Sequence, residues 1–279
     1  MQILSPAKIN LFLRIVGKRQ DGYHNLFSLM CCISLYDTIS LFFQVDKTSL
    51  SCNNALVPED ETNLTVKAAN LFLKTLNKAE HVHIDIDKQI PVGAGLGGGS
   101  SNAAAVLSGL NRYYNFPFSR DQLISMGIAI GSDVPFFLFR KPAIVTGMGE
   151  KLESFNRFKP FHLLLIYPGF SVSTADIYGK LNLGLTKCKN INKNYKFKKQ
   201  KYDVVANLCN DLETVTASIY PDITVAQKAL LTHGAMGTLM SGSGPTVFGL
   251  FSDFDKAHEA YNALLDNNRW KLFQAEMLV

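Results

Sequence analysis

The stretch PVGAGLGGGSSNAAA, residues 91–105, sets five glycines and two serines directly ahead of an alanine-rich run. Gly93, Gly95 and Gly98 satisfy GxGxxG, but that dinucleotide fingerprint belongs after a buried apolar strand that opens a parallel sheet. Here the preceding segment, HVHIDIDKQIP, alternates Val82, Ile84 and Ile86 with His83, Asp85 and Asp87, and it is not the first element of the chain. A nicotinamide-dependent oxidoreductase also needs an acid closing a second parallel strand, and none is found. A Walker A loop ends in Gly-Lys-Ser/Thr, whereas residues 91–105 hold no lysine; the HRD and DFG sets of protein kinases are missing. What fits is a strand, a flexible loop and a helix whose first turn reads Gly-Gly-Ser-Ser-Asn. The first amides of a helix lack internal partners and carry the positive end of its dipole. Glycines let the main chain wrap an anion, and Ser100 and Ser101 add hydroxyl donors, so the chemistry indicated is phosphate binding by backbone. The competing reading is a glycine-rich hairpin or a tight helix–strand contact.

A loop without lysine leaves the positive charge and the proton acceptor to other segments. SPAKINLFLRIV alternates with period two: Ala7, Ile9, Leu11, Leu13 and Ile15 on one side, Lys8, Asn10, Phe12 and Arg14 on the other. Lys8 and Asn10 therefore share a face, about 7 Å apart along the strand. Asp133 in GSDVPFF is the candidate acid. With Pro135 two residues on, it reads equally well as a helix N-cap. His81 and His83 share a strand face, but without a nearby cysteine or a third histidine they predict no metal site.

The elements that must position these residues can be read in order. GKRQDG is a polar turn, and YHNLFSLMCCISLYDTISLFFQ a further strand. TNLTVKAANLFLKTLN carries Leu64, Ala68, Leu71 and Phe72 at helical spacing, with Thr62 or Asn63 as cap. After the glycines, Ala103, Val106, Leu107, Leu110 and Tyr114 form the apolar side of a helix. SRDQLISMGIAIG is a second helix, closed by Gly131. SDVPFFLF and AIVTGMGEKLESF read as strand-like and turn-rich. RFKP then interrupts the pattern before the strand FHLLLIYPG, which places a boundary near residues 150–160. The remainder offers PDITVAQKALLTHG as helix, MGTLMSGSGPTVFGLF as two strands around a Gly/Ser turn, and DFDKAHEAYNALLDN as helix. Helices beside a mostly antiparallel sheet give an α+β class in two halves, 1–155 and 156–279.

Composition narrows the function classes. The 279 residues suffice for one large or two ordinary domains. The longest apolar stretches are too short to span a bilayer and no export leader opens the chain, so a cytoplasmic protein is expected. Five cysteines, an odd set without a CxxC pair, read as free, reduced thiols. The net charge of +5 is local: KCKNINKNYKFKKQK, residues 187–201, holds seven lysines, and without them the chain falls to −2. That run reads as a solvated loop; an RNA-binding protein is the alternative, and it would bind with steep salt dependence even without the glycine loop.

The glycine loop resembles the phosphate-binding motif of the GHMP kinases, and LMSGSGPTVFGLF, 239–251, is similar to that superfamily's third, C-terminal glycine motif. SPAKINLFLRIVGKRQDGYHNLFSLM, 5–30, GSDVPFFL and NDLE, 210–213, resemble one branch of it, in the same order along the chain. The resemblance implies a ribosomal-S5-like N-terminal domain followed by a ferredoxin-like C-terminal domain. It implies transfer of the ATP γ-phosphate, with Mg²⁺, to the 2-hydroxyl of 4-diphosphocytidyl-2-C-methyl-D-erythritol, a step of non-mevalonate isoprenoid precursor synthesis. Homoserine, mevalonate and sugar kinases of the superfamily are the alternative, but they lack DGYH beside AKINLFL. By the same resemblance Lys8 and Asp133 are the catalytic pair. The ATP loop comprises Pro91, Val92, Gly93, Ala94, Gly95, Leu96, Gly97, Gly98, Gly99, Ser100 and Ser101. Asn10, Tyr23, His24 and Tyr178 fall on the cytidine side. Two positions depart from the pattern: Met30 stands where an aromatic ring is expected, and Asn102 where many loops carry aspartate.

Overall fold

The computed structural model describes residues 1–20, 22–181, 188 and 202–279. Apart from Cys188, the lysine run at 187–201 lies outside the described residues, as does Asp21 of the DGYH turn. Two long strands open the chain, β1 (Gln2–Lys18) and β2 (His24–Phe43). The chain forms two compact units, and both strands contribute to each: the first unit comprises Met1–Ala7, Leu35–Val92 and Gly97–Arg140, the second Lys8–Ser34, Gly93–Leu96 and Lys141–Val279.

In the first unit, β4 (Val82–Asp87) pairs antiparallel with the end of β2, from Thr38↔Asp87 to Phe43↔Val82, and parallel with β3 (Ser49–Cys52). The alternation of β4 does what its pattern requires. Val82, Ile84 and Ile86 are buried in the core, while His83 and Asp85 face outward and bond to Ser49 and Ser51. Four helices complete the unit: α1 (Leu64–Thr75), α2 (Gly98–Tyr113), α3 (Arg120–Ile130) and α4 (Val134–Phe139). Asn63 caps α1 through its side chain, accepting from Thr65 N, and Ser119 with Gln122 forms a reciprocal capping box on α3. α2 packs closely because Gly109 has no side chain; a Cβ there would run into Ile3 and Leu41.

The second unit has the sheet β5 (Ala143–Gly147) on the start of β2, with β6 (Lys151–Ser154) beyond it. β7 (His162–Tyr167) lies between β10 (Val247–Phe251) and β11 (Lys271–Leu278), with β9 (Gly237–Met240) outside β10, all antiparallel. Short β8 (Cys209–Asn210) runs parallel to β1 at Phe12 and Leu13. Helices α5 (Thr174–Gly179), α6 (Glu213–Ile219), α7 (Asp222–Thr232) and α8 (Phe254–Leu264) follow in chain order around these strands. Among the described residues no helix is long and apolar enough to cross a membrane.

Two expectations are corrected. VPFFLF is helix α4, not strand: all of Val134–Leu138 is buried, so the run has no polar face whose period could distinguish the two states, and Pro135 sits in the first turn where its missing N–H costs nothing. Nor are all cysteines free. Cys188 and Cys209 form a disulfide, their Cα atoms 5.7 Å apart across a separation of 21 residues. The cause is tertiary: β8 fixes Cys209 beside β1, and Asp211 Oδ1 accepts from Cys188 N at 3.3 Å. Cys31, Cys32 and Cys52 are unpaired, and burial pushes all three thiols upward, Cys32 to about 12. Closing a loop of this size restricts the unfolded chain by about 3 kcal/mol. Under non-reducing conditions Cys209→Ser is therefore expected to lower unfolding stability by about that amount. Dithiothreitol should lower the parent to the same level and leave the variant unmoved in denaturant titrations.

Candidate active site

Lys8 opens the second unit, 4% exposed, and its Nζ donates to Asn10 Oδ1 at 2.6 Å. Asn10 Nδ2 in turn donates to Ser28 Oγ at 2.9 Å, and Ser28 Oγ donates to the Phe12 carbonyl at 2.6 Å. The face shared by Lys8 and Asn10 in the sequence pattern is a direct contact, which orients the ammonium.

Beside it lies the loop segment Gly93–Leu96. Each of its carbonyls is taken by the protein: Gly93 O by Val172 N at 3.1 Å, Ala94 O by Thr246 N at 3.3 Å, and Leu96 O by Lys8 N at 2.9 Å. The fourth, Gly95 O, accepts from Ser241 Oγ at 3.0 Å. In contrast, the amides from Gly95 through Ser100 donate to no protein acceptor among the described residues. The first hydrogen bond of α2 is Ser101 N to Gly97 O at 2.9 Å. Gly97, at φ +71°, is the N-cap and has no side-chain oxygen to satisfy those donors. A run of main-chain N–H groups at the positive end of a sixteen-residue helix is chemistry for an anion.

The turn at 241–244 presses on this loop backbone to backbone. Gly95 stands at φ +77°, and a Cβ there would overlap the Ser241 carbonyl and lie 3.0 Å from Gly244 N. A Cβ on Gly242 would lie 2.9 Å from Gly95 O and 3.3 Å from Lys8 Nζ. Ser243 Oγ meets Thr174 Oγ1 at 2.8 Å. The segment Gly93–Leu96, the turn at 241–244 and Lys8 are thereby brought together within the second unit.

In the first unit, the start of α2 rests on a buried polar network that sequence reasoning missed. Asp37 is fully buried and accepts from Gln89 N, Ile90 N and Asn102 Nδ2, each at 2.8 Å, and from Lys88 Nζ. Asn102 Nδ2 also lies 3.0 Å from Ser5 Oγ, and Ser5 Oγ donates to Ser101 Oγ at 2.8 Å. The Asn102 side chain thus points into the protein, and Ser101 is 1% exposed, whereas Ser100 is half-buried. A signal existed: Asp37 falls on the same strand face as Ile39 and Leu41, where an acid must find partners. Asp133 occupies the N-cap position of α4, half-buried, and its side chain makes no capping hydrogen bond, so the capping alternative is not used. The turn carrying it lies beside the loop helix, since a Cβ on Gly131 would come 3.8 Å from Ser100 Oγ.

Of the cytidine-side candidates, His24 and Tyr178 meet with ring centroids 5.2 Å apart and planes tilted by 42°. Burial, and then Lys18, hold His24 below its ordinary value of 6.5. Tyr23 is 66% exposed, Asn10 is buried beside Lys8, and Met30 is buried in β2 opposite Ala143. The described residues offer a single three-residue set of metal-ligand type, Cys188, Cys209 and Asp211, and its two thiols are spent in the disulfide.

The chain resembles known proteins along nearly its whole length. The profile of the GHMP kinases N terminal domain matches residues 63–141, and that of the GHMP kinases C terminal domain residues 197–269. The chain is 44% identical over 273 residues to the 4-diphosphocytidyl-2-C-methyl-D-erythritol kinase of Syntrophus aciditrophicus (strain SB), covering 98% of both chains. It is 43% identical to that of Syntrophotalea carbinolica, covering 98% of this chain and 97% of the relative. A crystal structure of 4-(cytidine 5'-diphospho)-2C-methyl-D-erythritol kinase superposes with a TM-score of 0.83 at 30% identity over 99% of each chain. The Methanococcus jannaschii mevalonate kinase, at TM-score 0.72 and 18% identity, covering 100% of this chain and 98% of its own, shares the fold.

Gly95→Ala tests the backbone contact. The positive φ and the overlap with Ser241 together should cost more than about 2 kcal/mol and displace the loop. Thermal denaturation should report the loss, and calorimetry should find nucleotide binding abolished at concentrations that saturate the parent.

Proposed function

Because the chain belongs to the 4-diphosphocytidyl-2-C-methyl-D-erythritol kinases of the GHMP kinase family, we propose that it phosphorylates the 2-hydroxyl of 4-diphosphocytidyl-2-C-methyl-D-erythritol. It is a small-molecule kinase, and ATP is its co-substrate. The single observation that carries the reading is the run of unpartnered amides from Gly95 to Ser100, held open by carbonyls that are all turned into the protein. The alternative acceptors homoserine and mevalonate are disfavoured by the meeting of His24 and Tyr178, a pair of rings suited to a flat base.

Phosphoryl transfer passes through a loose, highly charged transition state, so the protein contributes positioning and charge neutralisation. Within residues 91–101 the amides of Gly95 through Ser100 hold the triphosphate by main-chain donation. Lys8 faces the same loop segment and neutralises charge developing on the transferred group. Asp133 orients the attacking hydroxyl and accepts its proton as the new P–O bond forms and the bond from the γ-phosphorus to the departing ADP oxygen breaks. His24 and Tyr178 seat the cytosine, with Tyr23 and Asn10 completing that side.

A hard cation suits an oxygen donor, and the half-buried Ser100 hydroxyl at the start of α2 is the group that would hold Mg²⁺. When bound, that ion supplies charge across the phosphate oxygens.

Asp133→Ala is expected to lower kcat by about 10²- to 10⁴-fold while the Kd for an ATP analogue and the melting temperature stay near the parent's; retention of full turnover would remove Asp133 from the mechanism. The acceptor KM should also depend on pH through His24. Its proton affinity is depressed, so the neutral ring persists through pH 6.5, and the KM should stay flat there and rise only on further acidification. A KM that climbs on the alkaline side instead would remove His24 from cytosine recognition.

A further inference from the structure

The segment NDLE, 210–213, has no role in the chemistry above, yet each of Asn210, Asp211 and Glu213 is hydrogen-bonded to β1 or to the chain at 240–242. Asn210 is 5% exposed, and its single Nδ2 donates to two carbonyls that flank Ser241: Met240 O at 2.8 Å and Gly242 O at 2.7 Å. Its Oδ1 accepts from Leu212 N at 2.9 Å, which fixes the amide's orientation. Glu213 Oε2 accepts from Met240 N at 2.9 Å. On the other side, Asp211 N donates to Leu13 O at 2.9 Å and Asp211 Oδ2 accepts from Ile15 N at 2.8 Å, both on β1. Asp211 is 2% exposed, and burial raises its carboxyl above the usual carboxylate range.

We propose that Asn210 is a positioning residue for phosphoryl transfer, acting through the 241–244 turn. Two hydrogen bonds from one amide hold that turn at the height where Ser241 Oγ reaches Gly95 O and the Gly242 backbone sits beside Lys8 Nζ. Asp211 and Glu213 complete the brace, joining β1, which carries Lys8, to the turn that supports the phosphate loop. An amide is required because both partners at the turn are carbonyl oxygens; a carboxylate of the same shape would face them with no donor. The inference rests on the reading of residues 91–101 as the phosphate loop.

The test is Asn210→Asp, which keeps shape and removes both donors. Expected are a KM for ATP raised about tenfold and a kcat lowered about 10- to 100-fold, the cost of displacing reacting groups by about 1 Å, with the acceptor KM within about twofold. In nucleotide-free protein, hydrogen exchange should accelerate at Ser241, Gly244 and Thr246 and at Lys8, while β7 and β10 keep their protection. Unchanged kinetics, or exchange that accelerates equally across β7 and β10, overturns the proposal. Should that variant not fold, Glu213 decides. Glu213→Ala should raise the ATP KM, and Glu213→Gln, whose Oε1 still accepts from Met240 N, should restore it; equal behaviour of the two overturns the proposal. Failure of the unmodified protein to bind magnesium ATP would instead refute the phosphate-loop reading, which the nucleotide-free exchange result does not depend on.

Discussion

Backbone resting on backbone is the constraint from which the second unit's chemistry follows. At Gly95 the chain passes so close to Ser241 and Gly244 that no side chain fits, and at Gly242 it passes as close to Gly95 and to the Lys8 ammonium. Such contacts hold where the carbonyls turned into the protein are paired, and every carbonyl of Gly93–Leu96 accepts a bond from the surrounding unit. The consequence is directional. With the carbonyls committed, the amides that follow are left facing away from their own chain, and the N-cap glycine of α2 supplies nothing to quench them.

Charge is kept out of the loop and placed beside it. Residues 91–102 contain no ionisable side chain, so the positive potential this segment offers an anion is that of its main-chain dipoles alone. The formal cation comes from Lys8, whose strand also donates the hydrogen bond to Leu96 O. In the first unit a different arrangement steadies the helix: a carboxylate at Asp37, wholly buried, collects two backbone amides, an asparagine and a lysine. Removing one partner from such a group strands a buried charge, which is why it makes a firm anchor even where its net contribution to stability is small.

Much of this was legible in the amino-acid order, and the boundary of legibility is physical. Periodicity revealed β1 and β4 and put Lys8 and Asn10 on a common side; β4 has one face on a core, whereas in β1 both faces are buried from Ala7 to Leu13, so its polar side is an internal one. Local hydrogen-bond chemistry narrowed the start of α1 to Thr62 or Asn63, of which Asn63 is the cap, and placed the end of α3 at Gly131. Where a segment is buried all round, as at Val134–Leu138, period carries no information and strand was read for helix. Short elements such as β8 and α6 have too few residues to show a period at all. Pairings across long separations, Cys188 with Cys209, Asp37 with Lys88, and Asn210 with the 241–244 turn, depend on the folded arrangement alone. The glycine spacing pointed to anion chemistry, but the reason Gly95 must be glycine lies in a turn 146 residues away.

The most direct examination of the account is a crystal structure of the protein soaked with magnesium and a non-hydrolysable ATP analogue. The triphosphate should lie against the amides of Gly95 through Ser100, at the start of α2, with its oxygens within hydrogen-bond distance of the main chain. Density for the triphosphate in another part of the protein, with those amides left without a ligand, would contradict it.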